Sequence, residues 1–254
     1  MQNSKYWIMP IAGNGTRTRK LGEFKPFIEI NNKKIIEWFL ISIIDKISNK
    51  DKFIFITTQY FNDKFNIKHE LKELFSKYNL KNKLEIVLSD TTPQGPAKSI
   101  ELALNYIQDN YPIIIINVDQ FLLFNLPEVL NEKCYLVSNV DIGESKSYIE
   151  IKNKKILEIT EKVNNSNIAS TGVYIFPNKN LLVESLTYIF ENKIMHKDEY
   201  YIATAMNSLI GRVKFDLIPA LAKLDLGTVE NVNYFKNIIN LLCDKNERII
   251  IDSK

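Results

Sequence analysis

With 254 residues, 45% of them hydrophobic and 25% charged, the chain can bury a sizeable core as one large domain or two small ones. Its formal net charge is only +3, with lysines scattered among acids, which argues against a general electrostatic grip on nucleic acid. The longest apolar runs, "IIEWFLISII" and "YPIIIINV", fall far short of a membrane span. In chain order, "YWIMPIA" (6–12) is a short apolar run ending at a glycine, the mark of a buried strand. "KKIIEWFLISIIDKI" repeats apolar residues at helical spacing, "KFIFITT" reads as a strand, and "NIKHELKELFSKY" as a helix. "KLEIVLS" is a strand, "GPAKSIELALNYIQ" a helix and "YPIIIINV" a strand. Such alternation predicts a parallel sheet covered on both faces, with ligands at the carboxyl ends of its strands.

From about residue 134 the rhythm changes. "CYLVSNV", "SYIEIKN", "KILEITEK" and "STGVYIFP" are strands with few helices between them, which predicts a mixed or antiparallel extension of the sheet. Helical pattern returns in "KNLLVESLTYIFEN" and "DEYYIATAMNSLI". A strand "RVKFDLI", the segment "LDLGTVE" and a last helix "ENVNYFKNIINLLC" follow. The expected fold class is α/β, one domain over residues 1–254: a mostly parallel central sheet, helices on both faces, and a smaller mixed or antiparallel extension. Lysine, asparagine and isoleucine are over-used at positions with no evident role, which reads as the bias of an AT-rich bacterial genome. Cys134 and Cys243 lack C-x-x-C spacing and lie in or after apolar stretches, so both read as buried free thiols. His69 and His196 are too few for a histidine-rich metal site. The N-terminus has no signal-peptide pattern, and a soluble cytoplasmic protein is expected.

The loop "AGNGTRTRKLGEFK" follows the first strand and holds three of the eight glycines and two of the four arginines. Gly13 and Gly15 let backbone N–H groups approach an anion that a Cβ would obstruct. Arg17 offers forked donors to phosphate oxygens, and Lys25 a point charge on the far side. The loop is no P-loop, since no G-K-[ST] follows, and Thr18 occupies the third glycine of a dinucleotide fingerprint. A glycine pair after a strand also occurs as an ordinary tight turn.

The longer pattern is more specific. G-x-G-T-R, a short gap, K-P, then E-I-x-x-K-x-I-I-E-W resembles the sugar-phosphate nucleotidylyltransferase family, here at Gly13, Gly15, Thr16, Arg17, Lys25, Pro26, Glu29 and Trp38. Ala12 stands where the family often has a first glycine, and Thr18 replaces its usual leucine. Further landmarks follow in the family's order. "TTPQGPAKSIELAL" resembles its base-binding segment, with Gln94 presenting an amide to a base edge and Gly95 letting the base lie on backbone; an ordinary helix start has the same pattern. Asp119 ends the apolar strand "IIIINVDQF", a costly place for an isolated carboxylate unless it caps the strand or binds a cation. Asp225 in "LDLGTVE" resembles the family's second metal ligand, or serves as an acid at a helix start. Glu161 and Lys162 in "ITEKV" and Gly172 in "ASTGVYIFP" match its acceptor-binding segments, although such short motifs recur by chance.

The resemblance implies an NTP and a phosphorylated acceptor reacting to an NDP-linked product and pyrophosphate. It implies residues 1–133 as the nucleotide-binding half and 134–254 as the acceptor-binding half. Ala12, Gly13, Asn14, Gly15, Thr16, Gln94 and Gly95 would bind nucleotide, and Arg17, Lys25 and Asp119 would act in catalysis. Mg2+ would sit on Asp119 and Asp225, and Glu161, Lys162 and Gly172 would hold the acceptor. "TTPQGPAKS" with "NVDQ" looks more like the small capsule and choline-type cytidylyltransferases than like the thymidylyltransferases, which makes CTP the expected nucleotide, with UTP, dTTP or GTP as alternatives. Acceptors in keeping with this are a sugar-1-phosphate, phosphocholine or a phosphorylated amino acid, and a homodimer is compatible with it. A metal-dependent glycosyltransferase is the rival class, though "VDQF" lacks a D-x-D pair; an inactive binding relative is the other.

Overall fold

A computed structural model describes residues 4–13, 15–143 and 146–245; Asn14 and the side chain of Cys243 lie outside the described residues. The elements are β1 (Tyr6–Pro10), a hairpin of β2 (Glu29–Ile30) and β3 (Lys33–Lys34), α1 (Ile35–Ile43), β4 (Lys52–Thr58), α2 (Gln59–Phe65), α3 (Ile67–Lys77) and β5 (Lys83–Ser89). Then come α4 (Pro96–Ala103), β6 (Ile113–Ile116), β7 (Gln120–Phe124), β8 (Cys134–Val140), β9 (Ser147–Lys152), β10 (Lys155–Glu161) and β11 (Ile168–Phe176). The chain ends in α5 (Lys179–Glu191), α6 (Ile202–Asn207), β12 (Phe215–Asp225) and α7 (Val229–Lys245).

These form a single α/β domain on a 10-stranded sheet of order β5-β4-β1-β6-β11-β8-β12-β7, with β9 joined to β11 and β10 to β9. Strands β5, β4, β1 and β6 are parallel, β12 runs parallel to β8, and β9 with β10 makes the small antiparallel extension. The central strands are apolar on both faces because both are covered. Ile8, Ile54 and Ile115 pack beneath α4, α5 and α6, while Trp7, Phe55 and Ile114 pack against α1 and α3. Cys134 is a buried free thiol in the first of these layers, and burial pushes its pKa up to about 12. None of the described helices is long and apolar enough to cross a membrane.

Four features depart from the sequence reading. α2 has only a weak signature, Thr58 capping it by accepting from the Phe61 N–H at 3.2 Å, and Asn66 in left-handed conformation separates it from α3. β7 is too short to announce itself and exists by pairing with the end of β12. β12 takes in only "FDLI" of the expected "RVKFDLI" strand and runs on into "LDLGTVE" as one 11-residue strand. It pairs with β8 up to Pro219, then shifts register and pairs with β7, so no single alternation spans it. Finally, α6 starts at Ile202, because residues 196–199 form a tight turn closed by a His196–Glu199 bridge.

At the amino ends of β1 and β4 lies a buried ion pair. Lys5 Nζ is 2.7 Å from Asp51, with side-chain exposures of 1% and 0%. The Asp51 carboxylate also accepts from Trp7 Nε1 at 2.9 Å and from the Ser48 N–H at 3.0 Å. The opposite, carboxyl edge of the sheet holds the candidate site.

Candidate active site

The loop after β1 turns at Gly15 into a short 3-10 turn, Thr16–Thr18. Thr18 is buried, and its hydroxyl and N–H both donate to the Gly15 carbonyl, at 3.1 and 3.0 Å. That gives the departure at Thr18 a structural role. A second 3-10 turn, Lys25–Phe27, is anchored by buried Phe24 against Phe61 and Phe65. The rest of the motif is scaffold: Trp38 donates to the Ile30 carbonyl at 2.9 Å and packs edge-on against Phe235 of α7.

Lys25 reaches across to Asp119, Nζ to Oδ2 at 2.7 Å. Asp119 follows β6, and its carbonyl accepts from the Leu226 N–H at 2.8 Å, tying it to the loop after β12. Burial alone would raise the Asp119 pKa, but the charges of Lys25 and Arg17 outweigh it and hold the carboxyl below its usual range. Asp225, the last residue of β12, pairs in register with Gln120, one residue beyond Asp119. Its carboxylate meets Lys146 at 2.7 Å and Lys223 at 3.2 Å. Here too burial pushes the pKa up and the two ammoniums more than reverse it.

Two adjoining compartments open at this edge. The smaller, about 350 Å³, is lined by Ala12, Gly13, Gly15, Thr16, Lys25 and Gly95 among others. The larger, about 670 Å³, takes in Asp119, Asp225, Glu161, Lys162 and Gly172. Arg17, Asn117 and Glu199 line both. Of the described residues expected to bind substrate, metal or take part in catalysis, only Gln94 lines neither compartment. It is exposed, its side-chain Nε2 lies on Met195 Sδ at 3.5 Å, and its main-chain carbonyl accepts from the Tyr200 N–H. That places the amide outside both compartments.

Strand alternation would send Glu161 and Lys162 to opposite sides. The structure turns both into the larger compartment, because Lys162 has φ 57° and breaks the alternation. Lys162 donates to the Tyr201 hydroxyl and lies 4.3 Å over that ring; Tyr201 in turn donates to Glu199. Glu161 accepts from Ser147 Oγ, and burial raises its pKa.

Glycine is required at two positions. Gly172 has φ +80°, and a Cβ there would lie 2.5 Å from Asn117 Nδ2. Gly95 has φ +89°, and a Cβ would lie 2.6 Å from the Tyr200 carbonyl oxygen and 2.7 Å from its nitrogen. Backbone cannot yield as a side chain can. Gly95→Ala is therefore expected to lower stability by about 1–3 kcal/mol in urea unfolding, and to displace Glu199 and Tyr201. A loss under half of that lower figure would show that residues 199–201 give way freely.

Asn117, Lys146, Glu199, Tyr201 and Lys223 are cleft residues that sequence reasoning missed. Lys223 had a signal, standing two residues before Asp225 on the same strand face. Lys146, Glu199 and Tyr201 had none, since the connections before β9 and before α6 deliver them.

No cluster of three or more His, Cys, Asp or Glu side chains suited to a metal occurs among the described residues. The two carboxylates nonetheless fit Mg2+, which takes one or two carboxylates and completes its shell with water and substrate phosphates. Both face one cleft, and both already draw ammonium groups to within ion-pair distance.

The model of a family described as nucleotidyl transferase matches residues 8–234. A nucleoside-diphosphate-sugar pyrophosphorylase from Vibrio cholerae RC9 superposes with a TM-score of 0.78 at 21% identity, covering 91% of this chain and 99% of that one. The inositol-1-phosphate CTP transferase from T. maritima gives 0.70 at 14% identity, over 96% and 98% of the two chains. A UDP-glucose pyrophosphorylase complexed with UDP-glucose gives 0.72 at 19% identity, over 94% and 100%. At these identities the superpositions show a shared fold. Among curated proteins, none matches the sequence.

Proposed function

Because the chain belongs to the nucleotidyl transferase family, we propose that it transfers a nucleotidyl group from an NTP to the phosphate of a small acceptor and releases pyrophosphate. The observation that carries this reading is the convergence of Arg17, Lys25 and Asp119 where a glycine-loop compartment meets a second, polar one. The acceptor's phosphate oxygen forms a bond to the α-phosphorus as the bond to the bridging oxygen of the β-phosphate breaks. That oxygen leaves with the electron pair as pyrophosphate. A phosphate monoester is already anionic near neutral pH, so no general base is needed. The obstacle is repulsion between two anions, and the enzyme's task is to position and neutralise them.

The Ala12–Thr16 stretch and Gly95 would receive the nucleotide. Arg17 would hold the departing pyrophosphate, and Lys25 would face charge growing on the α-phosphate. Lys162, steadied by Tyr201, would bring in the acceptor's phosphate, with Glu161 and Gly172 shaping the pocket. Asp119 and Asp225 would hold Mg2+, which supplies Lewis-acid charge and a template for the reacting phosphates. CTP is the proposed nucleotide, on the strength of "TTPQGPAKS" and "NVDQ", and a precursor of capsule or other surface polysaccharide the proposed product.

Incubating the protein with each NTP and a panel of phosphorylated acceptors, and measuring pyrophosphate, tests the reading. Release with no pair would overturn it; release of NDP from a nucleotide-sugar would instead identify glycosyl transfer. In the active pair, Lys25→Ala is expected to reduce kcat by about 10²-fold with a smaller change in KM, since it acts on charge that grows in the transition state. Arg17→Ala should worsen both. Equal, KM-only effects would reduce the loop to nucleotide binding.

A further inference from the structure

Lys146 and Lys223 share one carboxylate, Asp225, at 2.7 and 3.2 Å. One negative charge between two ammoniums leaves a positive charge over. Lys223 has only 6% of its side chain exposed and Lys146 25%, so water supplies little of the balance. Asp141, the other acid near Lys146, is beyond ion-pair distance and accepts from the Gly143 N–H. The remaining cleft cations have partners or tasks of their own: Lys25 pairs with Asp119, Arg17 lines both compartments within the field of Asp119, and Lys162 rests on Tyr201. If Asp225 turns to a cation during the reaction, both lysines lose their carboxylate and the excess grows to two charges. In either state an anion is wanted beside them. Both lysines line the larger compartment and neither lines the glycine-loop one, which places that anion with the acceptor and away from the NTP.

We propose that Lys146 and Lys223 form a subsite for a second anionic group on the acceptor, a carboxylate or a second phosphate, apart from the phosphate that attacks. This rests on reading the larger compartment as the acceptor site. The Glu161 and Glu199 carboxylates line the same compartment, so the lysine pair rather than the whole lining draws the anion.

The test is calorimetric titration of the full chain with three pairs of probes. O-phosphoserine against O-phosphoethanolamine, and 3-phosphoglycerate against glycerol 3-phosphate, differ by a carboxylate. Glucose 1,6-bisphosphate against glucose 1-phosphate differs by a phosphate. In at least one pair the doubly anionic member should bind about tenfold or more tightly, and the pair showing it identifies the group. Lys223→Met and Lys146→Met should each bring that ratio within about twofold of one, with CTP affinity unchanged. The subsite is overturned by equal or absent binding in all three pairs, by a preference surviving both variants, or by a loss that falls on CTP. Thermal unfolding checks each variant, and should Lys223→Met not fold, the more exposed Lys146→Met decides. Pyrophosphate release that proceeds equally well with singly anionic acceptors would overturn the subsite and leave the proposed reaction standing. Absence of release with every acceptor would overturn the reaction itself.

Discussion

Asp119→Asn is expected to lower the rate of pyrophosphate release by well over 10²-fold, roughly the most that loss of an outer-shell partner of a metal ligand costs, while the fold survives. The carboxylate stands at the meeting point of the two compartments, 2.7 Å from Lys25 and within the field of Arg17. An amide of the same shape keeps the packing and the Leu226 tie, which uses the Asp119 main-chain carbonyl. What it removes is the charge. Mg2+ would then have only Asp225 among the proposed ligands, and Lys25 would lose its resident anion and be drawn out of position. Measuring kcat at saturating substrates over a range of magnesium, with unfolding curves beside it, separates chemistry from stability. A variant with near-normal rate at limiting magnesium would remove Asp119 from the proposed metal site.

Asp51→Ala is expected to cost about 3–5 kcal/mol of folding stability with little direct effect on the site, the cost typical of removing one partner of a buried ion pair. It would leave the Lys5 ammonium, 1% exposed, without a counter-ion. It would also strip the acceptor from Trp7 Nε1 and the Ser48 N–H. The pair sits at the amino edge of the sheet, away from the compartments, so a stable fraction should keep normal KM values. Lys5→Met with Asp51→Leu should recover part of the loss, because a buried ion pair is often replaceable by well-packed apolar residues. Recovery should stop short of complete, since Trp7 and Ser48 still lack an acceptor. Urea unfolding of both variants settles it: a cost below about 1 kcal/mol for Asp51→Ala would place that end of the sheet in contact with water.

Much of the candidate site was legible because the residues that converge there sit in local runs. The glycine-arginine loop follows a buried strand, Lys25 precedes a proline, and Asp119 comes just after an all-isoleucine strand; a carboxylate there is hard to explain by packing. These residues meet because β1 and β6 are adjacent and parallel, so their carboxyl ends lie side by side. Gln94 lies outside both compartments, next to Gly95, whose φ of +89° turns the backbone onto Tyr200. No composition cue reports that turn.

Sequence by itself determined the apolar strands, the amphipathic helices, the order of the motifs and hence the α/β class, since hydrophobic period and turn residues are local properties. Tertiary structure alone decided what pairs with what. β12 changes partners from β8 to β7 at a register shift near Ala220–Ala222, and that bend carries Asp225 alongside Gln120 and Asp119, more than 100 residues away. The same crossing brings Lys223 and, from the loop before β9, Lys146 onto one carboxylate. Strand order is set by which faces the whole sheet can bury at once, so two lysines far apart in the chain become one charged cluster only when every strand between them is in place.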